Sequence, residues 1–226
     1  MYARYFKRVM DVSLSLAALT VLLPLLAVLT VVGAVKMKGN PFFTQLRPGK
    51  DEKIFRLIKF RSMTCEKDAD GNLLPDALRL TKYGKFLRST SLDELPELIN
   101  ILKGDMSIVG PRPQLVRDMA FMTDEQRRRH SVMPGLTGLA QISGRNNISW
   151  EQKFAYDLAY IDEGITFQND MKIILKTVGK VFGQADTVRE GTVSDLDLGD
   201  YLLEKGMISK MEYIESQEKA NKLLKV

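Results

Sequence analysis

Cysteine, histidine and tryptophan each occur once in 226 residues, as Cys65, His130 and Trp150. A single cysteine excludes an intrachain disulfide framework and agrees with a reducing compartment. A single histidine leaves no basis for a multi-histidine metal centre and little for a Ser-His-Asp triad. Neither Cys65 nor His130 has a reactive partner close in sequence, so both read as non-catalytic. Trp150 reads as a packing or interface residue at a helix start. Internal repeats and low-complexity tracts are missing as well. So is charge of either sign between Asp11 and Lys36.

The charge that is present balances to +5, from 33 Lys and Arg against 28 Asp and Glu. That excess suits anionic lipid heads, phosphate-bearing substrates or nucleic acid and chooses none of them. Nucleic acid is the poorest fit, because the Asp68–Asp76 loop and the C-terminal tail are acidic. With 45% apolar residues the chain can bury one sizeable core.

The uncharged run after Asp11 is 24 residues long, roughly 36 Å as a helix, and reaches across a bilayer's hydrocarbon. It is too long for a signal-peptide core and no small-residue cleavage site follows it. On length alone it is an ordinary span. Two features point to a hairpin in one leaflet instead. Pro24 removes a helix hydrogen bond near the middle. Basic residues flank both ends, Arg4, Lys7 and Arg8 before and Lys36, Lys38, Arg47 and Lys50 after, where a span shows a one-sided bias.

Beyond the run, periodicity predicts a mostly helical α/β domain with few short strands. Ile54–Phe60 alternates weakly as a strand, and Glu66–Pro75 is a loop. Thr81–Arg88 interleaves basic residues with Tyr83, Phe86 and Leu87, as a membrane-surface piece or a solvated face over a core patch. Leu95, Leu98, Ile99 and Leu102 recur at helical spacing up to Gly104, with Ser91 and Glu94 spaced for a capping box. Gln114–Arg129 and Ser149–Glu163 read as helices, and Pro134–Gly144 as a glycine-punctuated loop. Asp170–Phe182 places Lys172, Lys176 and Lys180 on one stripe, as a lipid-interface helix or a core-facing amphipathic one. The tail from Ser194 reads as short helices.

Asp93 and Glu94 are adjacent acids at a helix start, where the helix dipole alone favours them. Arg79, Lys82, Lys85, Arg88 and Arg112 surround them in sequence. Arginine forks match phosphate oxygens, a carboxylate can attack phosphorus, and a neighbouring carboxylate can hold magnesium. Acidic pair, basic ring and Gly-Pro loops point to phosphoryl transfer without naming a substrate. Lys59, Arg61 and Arg145 read as surface charge on sequence alone.

The ordered strings go further. Lys59-Phe60-Arg61-Ser62-Met63, Arg79-Leu80-Thr81, Leu87 to Pro96 (LRSTSLDELP), Asn100 to Ser107 (NILKGDMS) and Val109-Gly110-Pro111-Arg112-Pro113 are followed by Pro134 to Gly138 (PGLTG), Gln141, Ser143 to Asn146 (SGRN) and Asp157. Over roughly residues 4–182 this set resembles the bacterial sugar transferases known as monotopic phosphoglycosyl transferases. The resemblance implies a re-entrant helix-break-helix over 1–38, bent at Pro24, with both ends cytoplasmic. The family often has serine before that proline; this chain has Leu23. It further implies a cytosolic catalytic domain over 39–186 with interfacial amphipathic helices, a C-terminal extension over 187–226, and residence in the bacterial inner membrane.

By resemblance, Asp93 is the nucleophile on a UDP-sugar, Glu94 assists it, and Mg2+ sits at Asp93. Arg112, within Pro111-Arg112-Pro113, holds the nucleotide. Lys59, Arg61, Arg79, Arg88 and Arg145 are weaker candidates for phosphate contacts. Sugar-1-phosphate passes to polyprenyl phosphate with release of UMP, as the first membrane step of glycoconjugate assembly that downstream glycosyltransferases continue. The competing reading is a membrane-anchored nucleotide-sugar binding or regulatory protein without turnover. The sequence leaves the sugar, the polymer and the oligomeric state open.

Overall fold

A computed structural model describes residues 1–144, 148–183 and 196–224. After a π-helical turn over Tyr2–Phe6, the hydrophobic run forms α1, Lys7–Lys36, about 45 Å long. Its 3.6-residue period separates two kinds of surface. Lys7, Asp11, Ser15, Leu29 and Gly33 are buried along one stripe. Val21, Leu23, Val28, Val31 and Val35 on the other faces are 58–77% exposed. Such a continuous apolar surface asks for lipid rather than water, and α1 is long and apolar enough to cross a membrane. Sequence reasoning expects a break at Pro24, but the backbone stays helical on both sides of it. A proline costs the helix one hydrogen bond, and the remaining ladder can bridge the gap.

The stripe explains a second departure. Lys7 and Arg8, expected as headgroup-facing flanks, serve the protein interior. Lys7 Nζ pairs with Asp170 at 2.5 Å, and Asp170 also accepts 2.8 Å bonds from the Tyr2 and Tyr160 hydroxyls. Arg8 donates to the carbonyls of Ile101 and Leu102, at the C-terminal end of a helix where orphan carbonyls favour a cation. Asp11 accepts from the Ile108 amide at 3.0 Å.

Strands β1, Phe42–Pro48, and β2, Ile54–Phe60, form an antiparallel hairpin in register from Phe42↔Phe60 to Pro48↔Ile54. Its connection passes through Asp51 and Glu52 at φ +53° and +59°. Short α2, Asp76–Arg79, and α3, Lys82–Ser89, follow the Glu66–Pro75 loop. In α3, Leu87 is fully buried and Phe86 is half exposed. Next comes a single 3-10 turn, Leu92–Glu94, and then α4, Glu97–Lys103. Leu57 of β2, Leu98 and Ile101 of α4, and Met106 make one core cluster, with Ala18 and Leu19 of α1 packed against it. Leu29, Phe60 and Leu87 make another. Asn100 is fully buried, accepting from Ile58 N and donating to Arg56 O.

Strand β3, Ser107–Val109, pairs in parallel with β4, Gly135–Thr137. Their backbones cross closely: a Cβ on Gly110 would fall 2.3 Å from Met133 O. The expected helix over Gln114–Arg129 is instead a 3-10 segment, Val116–Phe121, then α5, Asp124–Arg127, and a further 3-10 turn, Arg128–Ser131. Thr123 and Gln126 form a capping box that restarts the chain there. The expected Pro134–Gly144 loop holds β4 and α6, Leu139–Ser143.

Helix α7, Trp150–Asp162, starts at a Ser149/Gln152 capping box as its sequence predicts. Helix α8, Phe167–Gly183, buries Asp170 and Ile173. Helices α9, Leu198–Glu204, and α10, Lys210–Leu223, return to the domain. Leu198 joins Met122, Trp150 and Phe154 in a third cluster.

Candidate active site

The acidic pair stands between α3 and α4 because the helix cannot run through it. Ser91 adopts a left-handed conformation, φ +56°, and its side chain makes no cap bond, so the expected Ser91/Glu94 capping box does not form. Pro96 then starts α4 one turn later. Glu94 is drawn to tertiary partners instead. Its Oε1 lies 3.0 Å from Lys59 Nζ and 2.5 Å from Arg112 Nη2. Lys59 also reaches Oε1 of Glu97, 3.0 Å away and 1% exposed. The site therefore holds three carboxylates against two cations, with Arg47 and Arg88 near.

Electrostatics divides the carboxylates. Burial acts to raise Glu94, but Arg112 and Lys59 overcome it and hold the group well below the usual carboxylate range. Burial, then the Glu94 charge, push Asp93 up to about 6. Burial pushes Glu97 up to about 7 against the pull of Lys59. Burial also opposes the Lys59 charge, yet Glu94 and Glu97 outweigh it and keep the ammonium above its usual range. Glu94 in turn keeps Arg112 charged. Among the described residues no hydrogen bond or ion pair occupies the Asp93 carboxylate. One carboxylate is thus pinned and ionised, while its neighbour is free and close to neutrality in its proton affinity.

Both acids line a cavity of 1910 Å³, about twice the upper end of the range for a site holding one small ligand. Lys59, Arg61, Arg79, Arg88 and Arg112 line it too. Arg88 Nε donates to Ser62 Oγ at 3.0 Å. Arg61 donates to Cys65 Sγ and Phe42 O. Arg79 is engaged with Leu74 O, Thr64 O and Asp76, where it braces the loop before α3. Pro111 and Pro113 act through backbone: Pro111 O accepts from Gly135 N, and Pro113 O accepts from Arg47 Nη1. Arg145 lies outside the described residues.

Sequence reasoning missed Glu97 and Arg47. Glu97 looks like an ordinary first-turn acid, and Arg47 like a membrane flank. Arg47 is half-buried, and its desolvation brings it down to about 10, with Arg112 adding to the fall. His130, pushed down to about 4 by burial, is neutral near pH 7.

Mg2+ needs oxygen ligands and often takes one or two carboxylates plus substrate phosphates. Among the described residues no cluster of three or more His, Cys, Asp or Glu is placed to cage a metal. The free Asp93 carboxylate fits the sparser arrangement, in which phosphates complete the shell.

An apolar anchoring helix joined to an acid pair under two cations is the layout of a phosphate-handling membrane protein. The chain belongs to the bacterial sugar transferase family, which matches residues 2–184. It is 54% identical over 156 residues to EpsL of Bacillus subtilis, an uncharacterized sugar transferase, covering 68% of this chain and 77% of that one. It is 42% identical over 187 residues to the UDP-glucose:undecaprenyl-phosphate glucose-1-phosphate transferase of Klebsiella pneumoniae, covering 78% of this chain. It is 36% identical over 194 residues to the undecaprenyl-phosphate galactose phosphotransferase of Salmonella typhimurium, covering 77% of this chain. The matched region makes up 40% of the length of each of these two larger relatives.

Proposed function

We propose that this protein transfers a sugar-1-phosphate from a UDP-sugar to undecaprenyl phosphate at the cytoplasmic face of the bacterial inner membrane. The observation that carries the reading is the division of labour between Asp93 and Glu94. Glu94, ionised and held by Lys59 and Arg112, fixes two cations where a diphosphate would sit. Asp93, free beside it, attacks the β-phosphorus. The bond from that phosphorus to the bridging oxygen breaks, and UMP leaves with the oxygen. An oxygen of the lipid phosphate then attacks the aspartyl phosphosugar. Its acyl-phosphate bond breaks, Asp93 is regenerated, and a polyprenyl diphosphate sugar departs. Arg112, Lys59 and Arg88 neutralise the phosphate oxygens. Asp93 and the substrate phosphates would hold Mg2+, which would supply further charge neutralisation.

The membrane arrangement follows from α1. Its first turn is tied to Asp170, and Gly33 near its other end lies against Pro41 and Tyr83 of the same folded domain. That one domain holds both ends supports the reading in which both lie on one side of the bilayer and α1 enters a single leaflet. Helix α8 adds an interfacial face: Phe167, Leu175 and Val178 are 48–66% exposed, beside the exposed Lys172 and Lys176. A lipid acceptor gains about 0.8 kcal/mol per buried CH2 by staying in the membrane, so chemistry at headgroup depth avoids extracting it.

The test is UMP release from a panel of UDP-sugars with undecaprenyl phosphate and Mg2+. Turnover with one sugar, and labelling of the N-terminus and Lys36 from the same side, are expected. A protein that binds UDP-sugars but releases no UMP would be the non-catalytic anchored binder instead.

A further inference from the structure

The family match ends at residue 184, yet residues beyond it also line the cavity. Leu196 and Asp197, at the start of the returning segment, line the same cavity as Asp93, as do Gln114, Leu115, Asp118 and Trp150. We propose that the segment Leu196–Leu224 forms a wall of the donor cleft and positions the hydroxyl-bearing part of the nucleotide sugar. The inference rests on the transfer reaction above.

The joint is specific. Asp118, 1% exposed, accepts from Leu198 N through Oδ1 at 3.1 Å and from Leu115 N through Oδ2 at 2.9 Å. One buried carboxylate thus ties the returning segment to the stretch that follows Pro111-Arg112-Pro113. Arg112 is one of the two cations on Glu94, so the docked segment and the phosphate site share a support. Trp150 Nε1 donates to Leu196 O at 3.2 Å, and Arg117 pairs with Asp197. Close packing backs this up. A Cβ on Gly199 would fall 2.6 Å from Phe121 Cζ, the Phe121 ring lies 5.7 Å from that of Tyr213 in α10, and Ala220 is fully buried.

The chemistry of the wall selects the donor over the acceptor. An isoprenoid chain asks for continuous apolar surface. Among Leu115, Trp150 and Leu196 this wall sets the Asp197 carboxylate, the Gln114 amide and, from α7, Lys153. Carboxylates and amides accept hydrogen bonds from vicinal hydroxyls, and leaving such a partner unmet discriminates strongly between substrates. Both the sugar ring and the ribose carry that diol.

Two variants of the full-length protein in detergent separate the alternatives. Asp197→Ala removes the acceptor at the cleft, and Gly199→Val wedges α9 off Phe121 without altering a cleft side chain. Expected for both is a rise of about tenfold in KM for the UDP-sugar, with KM for undecaprenyl phosphate within about twofold. UMP as a competitive inhibitor distinguishes the diols. A Ki that rises with KM places the ribose on Asp197, and an unchanged Ki places the sugar there. If wild type turns over and both variants keep the donor KM and the UMP Ki within about twofold, the segment is only scaffolding and the proposal is overturned. Absence of UMP release by wild type on any UDP-sugar would strike the transfer reaction itself.

Discussion

Lys59, at the end of β2, lies 3.0 Å from Glu97 in the first turn of α4, and spans the hairpin-to-helix contact beneath the acidic pair. Its ammonium is the counter-charge for two carboxylates at once, since Glu94 is also 3.0 Å away. Replacing it with a neutral chain of similar length leaves the buried Glu97 without its cation and Glu94 with Arg112 alone. Lys59→Met is expected to destabilise the fold by about 3–5 kcal/mol, read by thermal unfolding in detergent. A loss below about 1 kcal/mol would show that the pair is solvated.

Activity should follow the ionisation of Asp93. With that carboxyl raised to about 6, kcat/KM for the donor rises as pH climbs through 6 and flattens above 7. Lys59 lowers the Asp93 value, so Lys59→Met moves this limb to higher pH. A limb that stays near pH 4 in wild type would place the attacking group elsewhere.

Asp93→Asn separates chemistry from stability. UMP release and any phosphosugar adduct should vanish, the latter followed by intact-protein mass spectrometry. The fold should gain. A carboxyl whose value is raised on folding carries no penalty below its unfolded value near 4 and the full penalty above its folded value near 6. At pH 7 the neutral amide therefore raises Tm, by about 2–4 °C for each kcal/mol relieved. A lower Tm would mean that the ionised Asp93 stabilises its surroundings.

The tie between α1 and α8 makes a double-mutant prediction. Lys7→Met leaves Asp170 buried and unpaired and should cost about 3–5 kcal/mol, whereas Lys7→Met with Asp170→Asn should recover most of that loss. Equal losses in the single and double variants would assign the cost to packing of the lysine stem.

What was legible in the sequence was what local rules decide. The β2 strand, the Ser149 start of α7 and the Gly104 stop, at φ +95°, all follow from side chains within a few residues. The failures are non-local. Glu94 abandoned its capping partner because Lys59 and Arg112 arrive from other elements. Strand β4 was hidden in a glycine-rich loop because its partner, β3, lies far back in the chain. Arg8 looked like a lipid flank because the carbonyls it caps belong to α4. At the site, residues alone gave an acidic pair with basic neighbours. The resemblance singled out Lys59 and Arg112, and Glu97 and Asp118 stood out in neither reading.

The buried stripe of α1 has a practical consequence for handling the protein. Trimming the hydrophobic helix to obtain a water-soluble fragment would strip Leu29 from Phe60 and Leu87, unpair Asp170, and uncover Leu57 and Met106. The remainder would lose part of its own interior along with its tether, so purification and assay call for the intact chain in detergent micelles or nanodiscs.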